Sequence, residues 1–190
     1  MPVQIGAKTH SFSEPTGLLS DCHRRIEMFL GALVAVGEVI GGPPNAETTR
    51  ALESALRYFA EAAPQHTADE EVSLFPRLRQ IADPAVQSVL ARLERLEDDH
   101  QAATPRHAKV DRLGRKYLAA GKLTGAEVNE YRQAVATLAA MYKEHIRVED
   151  DEVFPLAARV LPEAEKAAIA GEMAGRRQVP LLTDISPSSK

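Results

Sequence analysis

The sequence predicts an all-α protein, folded as an up-and-down antiparallel four-helix bundle with a short C-terminal helix. Of its 190 residues, 44% are hydrophobic and 5% aromatic, with no tryptophan. This composition favours helices, because sheets are usually richer in aromatic and β-branched residues. Apolar residues recur at helical spacing in four long segments. Short loops join these segments, which is typical of antiparallel bundles.

The bundle is expected to span 16–160, with its four helices at 16–40, 46–80, 84–121 and 124–159. Outside it, the expected segments are an irregular N-terminal arm at 1–15, a short amphipathic helix at 161–175 and an extended tail at 176–190. The Gly-Gly-Pro-Pro-Asn loop at 41–45 separates the first two helices.

Local signals refine these bounds. Pro64 is expected to kink the second helix and Pro105 to interrupt the third, because proline lacks the amide hydrogen that the helix needs. Pro84 suits the first turn of a helix. Thr124 followed by Glu127 predicts a capping box at the start of the fourth helix.

One motif occurs twice in the chain. The stretches HTADEEVSLFP at 66–76 and HIRVEDDEVFP at 145–155 both read H-x-x-x-E, four further residues and Phe-Pro. Residues four apart on an α-helix lie about 40° from each other and roughly 6 Å apart along the axis. Each helix therefore offers one imidazole and one carboxylate to a single metal centre.

Two further histidines are predicted to reach the same level. His23 and His100 precede the histidines of the motif by similar intervals, and each lies on the apolar face of its helix. Counting from each connecting loop at about 1.5 Å per residue places all four imidazoles in one layer. The predicted metal ligands are His23, His66, Glu70, His100, His145 and Glu149.

Six such ligands indicate a dinuclear centre. Burying two carboxylates and four imidazoles without a cation would leave several kcal/mol of desolvation uncompensated. The set is too large for a tetrahedral zinc site, and imidazole with carboxylate suits iron, with manganese or zinc as substitutes. We expect two iron ions bridged by Glu70, Glu149 and a solvent oxygen. An open coordination position would bind dioxygen, peroxide or nitric oxide.

Four other residues are secondary candidates. Glu27 is predicted to face inward, either as a third His/Glu partner or as a hydrogen-bond acceptor, with an arginine salt bridge as the alternative. Glu152 is also predicted inward, by its spacing from His145. Tyr142 either donates a hydrogen bond to bound oxygen or fills the core. Asp150, next to Glu149, points outward on an ideal helix.

Two more residues are expected to lie outside the metal-ligand set. His107 lies about 10 Å beyond His100 along its helix and is expected in the core or a channel. Cys22 is expected to be a buried filler.

The ordered pattern of His, H-x-x-x-E, His and H-x-x-x-E over 18–159 resembles the hemerythrin-like, HHE cation-binding proteins. The resemblance implies a four-helix bundle with a non-haem di-iron site and the six ligands already named. It also implies a range of activities, from reversible oxygen binding to iron or oxygen sensing, peroxide breakdown and repair of damaged iron centres.

Two departures distinguish this chain from the oxygen carriers of that family. Those proteins have a second histidine one turn after the third-helix ligand, where this chain has Thr104. They also place the last carboxylate five residues after its histidine, which corresponds to Asp150 and leaves Glu149 and Asp150 in competition. The missing imidazole favours sensing or redox chemistry over oxygen transport. A di-iron peroxidase or catalase-like enzyme, and a zinc-bound or metal-free interaction module, are the alternatives.

Charge and cysteine content limit the other function classes. The formal charge of −4 comes without a basic stripe, so we expect neither a nucleic-acid partner nor a membrane-surface partner. No apolar run approaches the roughly 20 residues needed to span a bilayer. The single Cys22 cannot form an intramolecular disulfide, and we expect a cytoplasmic protein. The sequence indicates neither a catalytic residue nor an oligomeric state.

Overall fold

The computed structural model describes residues 10–180, which contain helices and loops and no strand. The predicted all-α class is confirmed. Most of the predicted arm and tail, at 1–9 and 181–190, lies outside the described residues.

The described helices include nine α-helical segments and two π-helical turns, which we call π1 and π2. The α-helices are α1 (Pro15–Val39), α2 (Ala46–Glu61), α3 (Ala63–Ala68), α4 (Phe75–Arg79), α5 (Pro84–Gln87), α6 (Leu90–Ala120), α7 (Gly125–Val148), α8 (Phe154–Val160) and α9 (Glu163–Arg176). The π-turns are π1 (Asp69–Leu74), between α3 and α4, and π2 (Glu149–Val153), between α7 and α8.

Prolines act differently in the second and third predicted helices. The second is interrupted at Ala62, two residues before Pro64. The third begins with the short α5 and then runs as α6 without a break through Pro105, so the predicted interruption there is wrong. Pro105 is exposed, and water can replace the hydrogen bond that its ring removes. Helix α6 ends at Gly121, whose φ of 70° lies in the left-handed region that favours glycine.

The predicted capping box at the start of α7 is confirmed. The Thr124 hydroxyl accepts a hydrogen bond from the Glu127 amide at 3.3 Å, and the Glu127 carboxylate accepts one from the Thr124 amide at 3.0 Å. Two amide groups at the helix end are thereby satisfied.

We expect Thr124→Ala to lower the free energy of unfolding by about 1 kcal/mol, because the Glu127 amide loses its acceptor. Thr137→Ala is the matched control. Thr137 lies exposed within α7 and bonds only the Gln133 carbonyl of its own helix, so alanine there should be neutral or slightly stabilising. Urea unfolding measures the free energy of unfolding of both variants. An equal change in the two variants would contradict a role for the cap.

The two π-turns arise at the same place in both copies of the motif. The Phe75 amide donates to the Glu70 carbonyl, and the Phe154 amide donates to the Glu149 carbonyl, each five residues back. The next residue is proline in both copies, and its ring clashes with the carbonyl four residues back in a regular α-helix. The wider turn relieves this clash, so the motif's Phe-Pro explains the turn, and π-turns are frequent at functional sites.

The histidine layer separates two apolar clusters. One cluster contains Ile26, Leu33 and Leu113, whereas the other contains Leu19, Leu93 and other apolar side chains. Helix α1 packs against α2 and α7, and α6 packs against the same two helices. Helix α9 packs against α1 and π1. Within residues 10–180, every helix is too short or too polar to cross a membrane.

Candidate metal centre

The structure brings all six predicted ligand side chains together. Two groups of four have ligand atoms within 4.8 Å of one another: His23 and His66 with both glutamates, and His100 and His145 with both glutamates. Glu70 and Glu149 belong to both groups. The two carboxylates therefore lie between one pair of imidazoles and the other.

Each carboxylate approaches imidazoles from both halves of the chain. Glu70 lies 3.0 Å from His66 Nε2 and 3.4 Å from His100 Nε2. Glu149 lies 3.1 Å from His145 Nε2 and also 3.1 Å from His23 Nε2. These contacts connect helices that are distant in sequence, as a shared site requires.

The two carboxylates are fully buried, and the pKa of Glu70 favours its ionised form. Both Glu70 and Glu149 are 0% exposed. Burial raises the pKa of Glu70, but His66, His23 and His100 lower it further, so that it lies well below the ordinary value. Burial lowers the pKa of His66, but Glu70 and Cys22 raise it to about 10. The cluster thus supplies anionic oxygen donors in a dry interior.

Unsatisfied polar atoms are concentrated in this cluster. In the described part of the chain, seven buried side-chain nitrogen and oxygen atoms make no hydrogen bond, and all belong to His23, His66, Glu70, His145 and Glu149. Both oxygens of each glutamate are among them. Each such atom costs about 1–3 kcal/mol when left unpaired. Metal ions would satisfy the five of these atoms that face the centre, namely His23 Nε2 and the four glutamate oxygens, so the donor set fits iron, manganese or zinc.

Two imidazoles are oriented by carboxylates that bind their outer nitrogens. His23 Nδ1 lies 2.9 Å from Asp150, and His100 Nδ1 lies 2.8 Å from Glu71. Asp150 directly follows Glu149, as Glu71 follows Glu70, so the arrangement repeats with the motif. Carboxylates in this position fix the orientation of a ligand imidazole and raise its basicity.

The other two imidazoles differ in their outer neighbours. His145 Nδ1 makes a longer contact of 3.5 Å with Asp99, which precedes His100. The equivalent residue before His23 is Cys22, which lies beside His66. Burial raises the pKa of the Cys22 thiol, but His66 and Arg25 lower it further, to about 7. The Cys22 thiol therefore lies beside His66, where the equivalent neighbour of His145 is the Asp99 carboxylate.

The two competing carboxylates, Glu149 and Asp150, lie in different places. The Glu149 carboxylate lies among the imidazole Nε2 atoms, whereas Asp150 lies behind His23. Asp150 also accepts a hydrogen bond from Ser20 at 2.8 Å and pairs with Arg24. Sequence reasoning placed it outward and missed this contact, although an acid directly after each motif glutamate was a readable signal.

Glu27, a secondary candidate, does not reach the centre. Glu27 is about half exposed and pairs with Arg24 at 3.4 Å, because Ile26 occupies the buried position on that face. The prediction that Glu27 faces inward is wrong, and its alternative, the arginine salt bridge, is what the structure shows.

The inward prediction for Glu152 is wrong as well. Glu152 pairs with Arg92 and lies 3.8 Å from Arg147. The additional residue in π2 rotates the following chain, so Val153 takes the buried position instead, at 0% exposure.

Tyr142 and His107 border the approach to the centre. Tyr142 lines a cavity with all four histidines, large enough for about one water molecule. Its hydroxyl lies 3.0 Å from His107 Nε2. His107 stacks on Phe59 with the ring centroids 4.7 Å apart, and burial lowers its pKa to about 4. The imidazole is therefore neutral, and it lies outside the ligand cluster, as the sequence predicts.

A larger pocket lies between α3 and α6. It has a volume of about 340 Å³, and its lining includes Thr67, His100, Thr104 and Tyr142. Thr67, His100 and Tyr142 also line the small cavity. The pocket thus adjoins the small cavity and reaches the His100 imidazole.

The fold and the site define an all-α protein with a buried His/Glu cluster that could hold metal ions. Residues 14–157 match the family model of the hemerythrin HHE cation-binding domain. The chain therefore belongs to this family. It is also similar to an uncharacterized protein of Haemophilus influenzae, with 30% identity over 86 residues. The match covers 45% of this chain and 49% of the relative, so it spans about half the length of each.

Proposed function

We propose that this protein holds two iron ions in the His/Glu cluster and binds dioxygen, peroxide or nitric oxide at an open coordination position. It would serve in sensing, protection or iron handling. The observation that carries the proposal is the sharing of Glu70 and Glu149 between two pairs of imidazoles. If two ions were bound, one in each group, both carboxylates would bridge them and all six side chains would act as ligands.

The ligand count supports an open position. His23 and His66 would hold one ion and His100 and His145 the other, with the two glutamates common to both. Each ion would receive four protein ligands, fewer than the six of an octahedral site. Non-haem iron supplies redox and small-molecule binding chemistry when such positions are free.

The surrounding residues support a small, neutral ligand. The cavity beside the imidazoles admits about one water-sized molecule. The imidazole of His107 and the hydroxyl of Tyr142, which lie 3.0 Å apart beside the cavity, are both uncharged. Tyr142 is placed to donate a hydrogen bond either to His107 or to a molecule in the cavity. That second role remains a prediction.

The packing of the helices supports the up-and-down antiparallel bundle. Helices α1, α2, α6 and α7 contact one another in a closed ring, and short loops join the successive segments. Antiparallel neighbours follow from such loops. In this bundle each helix pair would contribute one half of the centre.

The test is the metal content together with an optical spectrum. Protein purified without chelator, or reconstituted with ferrous iron under anaerobic conditions, should contain two iron equivalents per chain. After exposure to air, an oxo-bridged ferric pair should absorb in the near ultraviolet. His107→Gln is the matched control, because His107 lies outside the ligand cluster, and it should retain both equivalents. Less than one equivalent after reconstitution would overturn the di-iron proposal.

A further inference from the structure

Helix α9 makes an ionic contact with the chain segment that carries Glu70. Asp69, the first residue of π1, is 0% exposed. Its carboxylate accepts from Arg176 at 2.8 Å and from Arg177 at 2.5 Å. Both arginines lie at the C-terminal end of α9. A buried carboxylate is stable only when such partners compensate its desolvation, so this turn depends on α9.

Further hydrogen bonds extend the same contact along π1. Arg176 also donates to the Ser73 hydroxyl at 2.8 Å, and Ser73 pairs with Glu172 of α9. Arg77, just after π1, donates to the Ser73 carbonyl and to Glu172, each at 2.8 Å. The contacts reach both the beginning and the end of the π-turn, and charge-assisted bonds of this kind fix geometry strongly.

The contact distinguishes the two copies of the motif. In π2 and the residue before it, the positions equivalent to Asp69 and Ser73 are Val148 and Glu152. Val148 packs against an apolar cluster, and Glu152 pairs with Arg92 of α6. The ion network with α9 is therefore specific to the turn that presents Glu70.

Glu70 directly follows Asp69, so the position of Asp69 sets the direction in which the Glu70 side chain leaves the backbone. Glu70 approaches His23, His66 and His100, with ligand-atom distances between 3.0 and 3.8 Å. The partners of its carboxylate are these imidazoles, which are metal ligands themselves in the proposed centre and do not fix it independently of the metal. Its orientation therefore depends on the backbone of π1, and π1 is held by α9.

We propose that Asp69, Arg176 and Arg177 are positioning residues for Glu70, through which α9 sets the metal affinity and geometry of the centre. The inference rests on the proposed metal binding. None of the three contacts the metal directly, and each acts through the backbone of π1. Loss of such supporting contacts typically costs about 10–100-fold in metal affinity.

The experiment is a titration of the full-length, metal-free protein with cobalt(II), followed by the visible ligand-field spectrum. Asp69→Asn keeps the shape of the side chain and removes its charge, whereas Arg176→Gln removes one partner and leaves Arg177 on Asp69. Both variants should raise the Kd by about 10–100-fold. Their spectra at saturating cobalt should differ from that of the wild type, because Glu70 is displaced.

Two controls separate this effect from general destabilisation. Lys166→Gln removes an α9 charge that pairs with exposed Glu163 at 2.9 Å and does not touch π1. Leu33→Ala opens a cavity in the distant apolar cluster and lowers stability without approaching the centre. Both should keep the wild-type Kd and spectrum.

The outcomes distinguish the two proposals. If the wild type binds cobalt and Arg176→Gln binds it with the same Kd and spectrum, the positioning role is overturned while metal binding stands. A wild-type protein that binds neither cobalt nor iron would overturn the proposed function and this inference with it. Should Asp69→Asn fail to fold, Arg176→Gln decides the question, because the Asp69–Arg177 pair remains.

Discussion

Glu149→Ala is expected to abolish binding of at least one of the two metal ions, whereas Asp150→Ala should leave the stoichiometry unchanged at saturating metal. The Glu149 carboxylate lies in both four-residue groups of the centre, so its loss removes a ligand from each ion. Asp150 instead lies 2.9 Å from the outer nitrogen of His23. Its loss should weaken the affinity by about 10–100-fold, because the imidazole is less well oriented.

Iron analysis of the reconstituted proteins and a metal titration measure the two effects separately. The adjacent positions make each variant the control for the other. Full iron content in Glu149→Ala with a reduced content in Asp150→Ala would show that the last ligand follows its histidine by five residues. The observed placement of the two carboxylates would then differ from that in the metal-bound protein.

Metal binding is expected to raise the stability of the folded chain substantially. The metal-free cluster buries seven nitrogen and oxygen atoms without hydrogen bonds, and coordination would compensate the five that face the centre. A ligand present at a thousand times its Kd stabilises the native state by about 4 kcal/mol. For a domain of this size, 1 kcal/mol shifts the Tm by about 2–4 °C, so the Tm should rise by about 8–16 °C.

Thermal unfolding followed by circular dichroism, with ferrous iron under anaerobic conditions and with a chelator, measures this shift. Glu149→Ala provides the control and should show a much smaller difference between the two conditions. His107→Gln should behave as the wild type does, because it retains the complete ligand cluster. Equal Tm values for the wild-type protein with iron and with chelator would contradict a structural contribution of the metal.

The near-symmetry of the centre is clearest behind the imidazoles. Glu71 and Asp150 hold His100 and His23 in the same way, each following a motif glutamate. The symmetry breaks where Asp99 faces His145 while Cys22 lies beside His66. It breaks again at the π-turns, because π1 pairs with the arginines of α9 whereas Glu152 of π2 pairs with Arg92 of α6. The two proposed metal positions are thus expected to differ in affinity.

The sequence by itself determined the helical class, the cap at Thr124 and the set of side chains that meet at the centre. These depend on helical periodicity and on distances counted from the loops, which are properties of single helices and of short connections. His23 and His100 carry no motif of their own, yet counting from the loops predicted their level. The family match over 14–157 is consistent with the same segment.

The tertiary structure decided which neighbours orient those side chains. The π-turns shift the register after each motif, so Val153 replaces Glu152 at the buried position. Asp150 meets His23 only because α1 and α7 pack together. Asp69 is buried against the arginines of α9, more than a hundred residues along the chain. Such contacts depend on the packing of separate helices, and the periodicity of one helix does not contain that information.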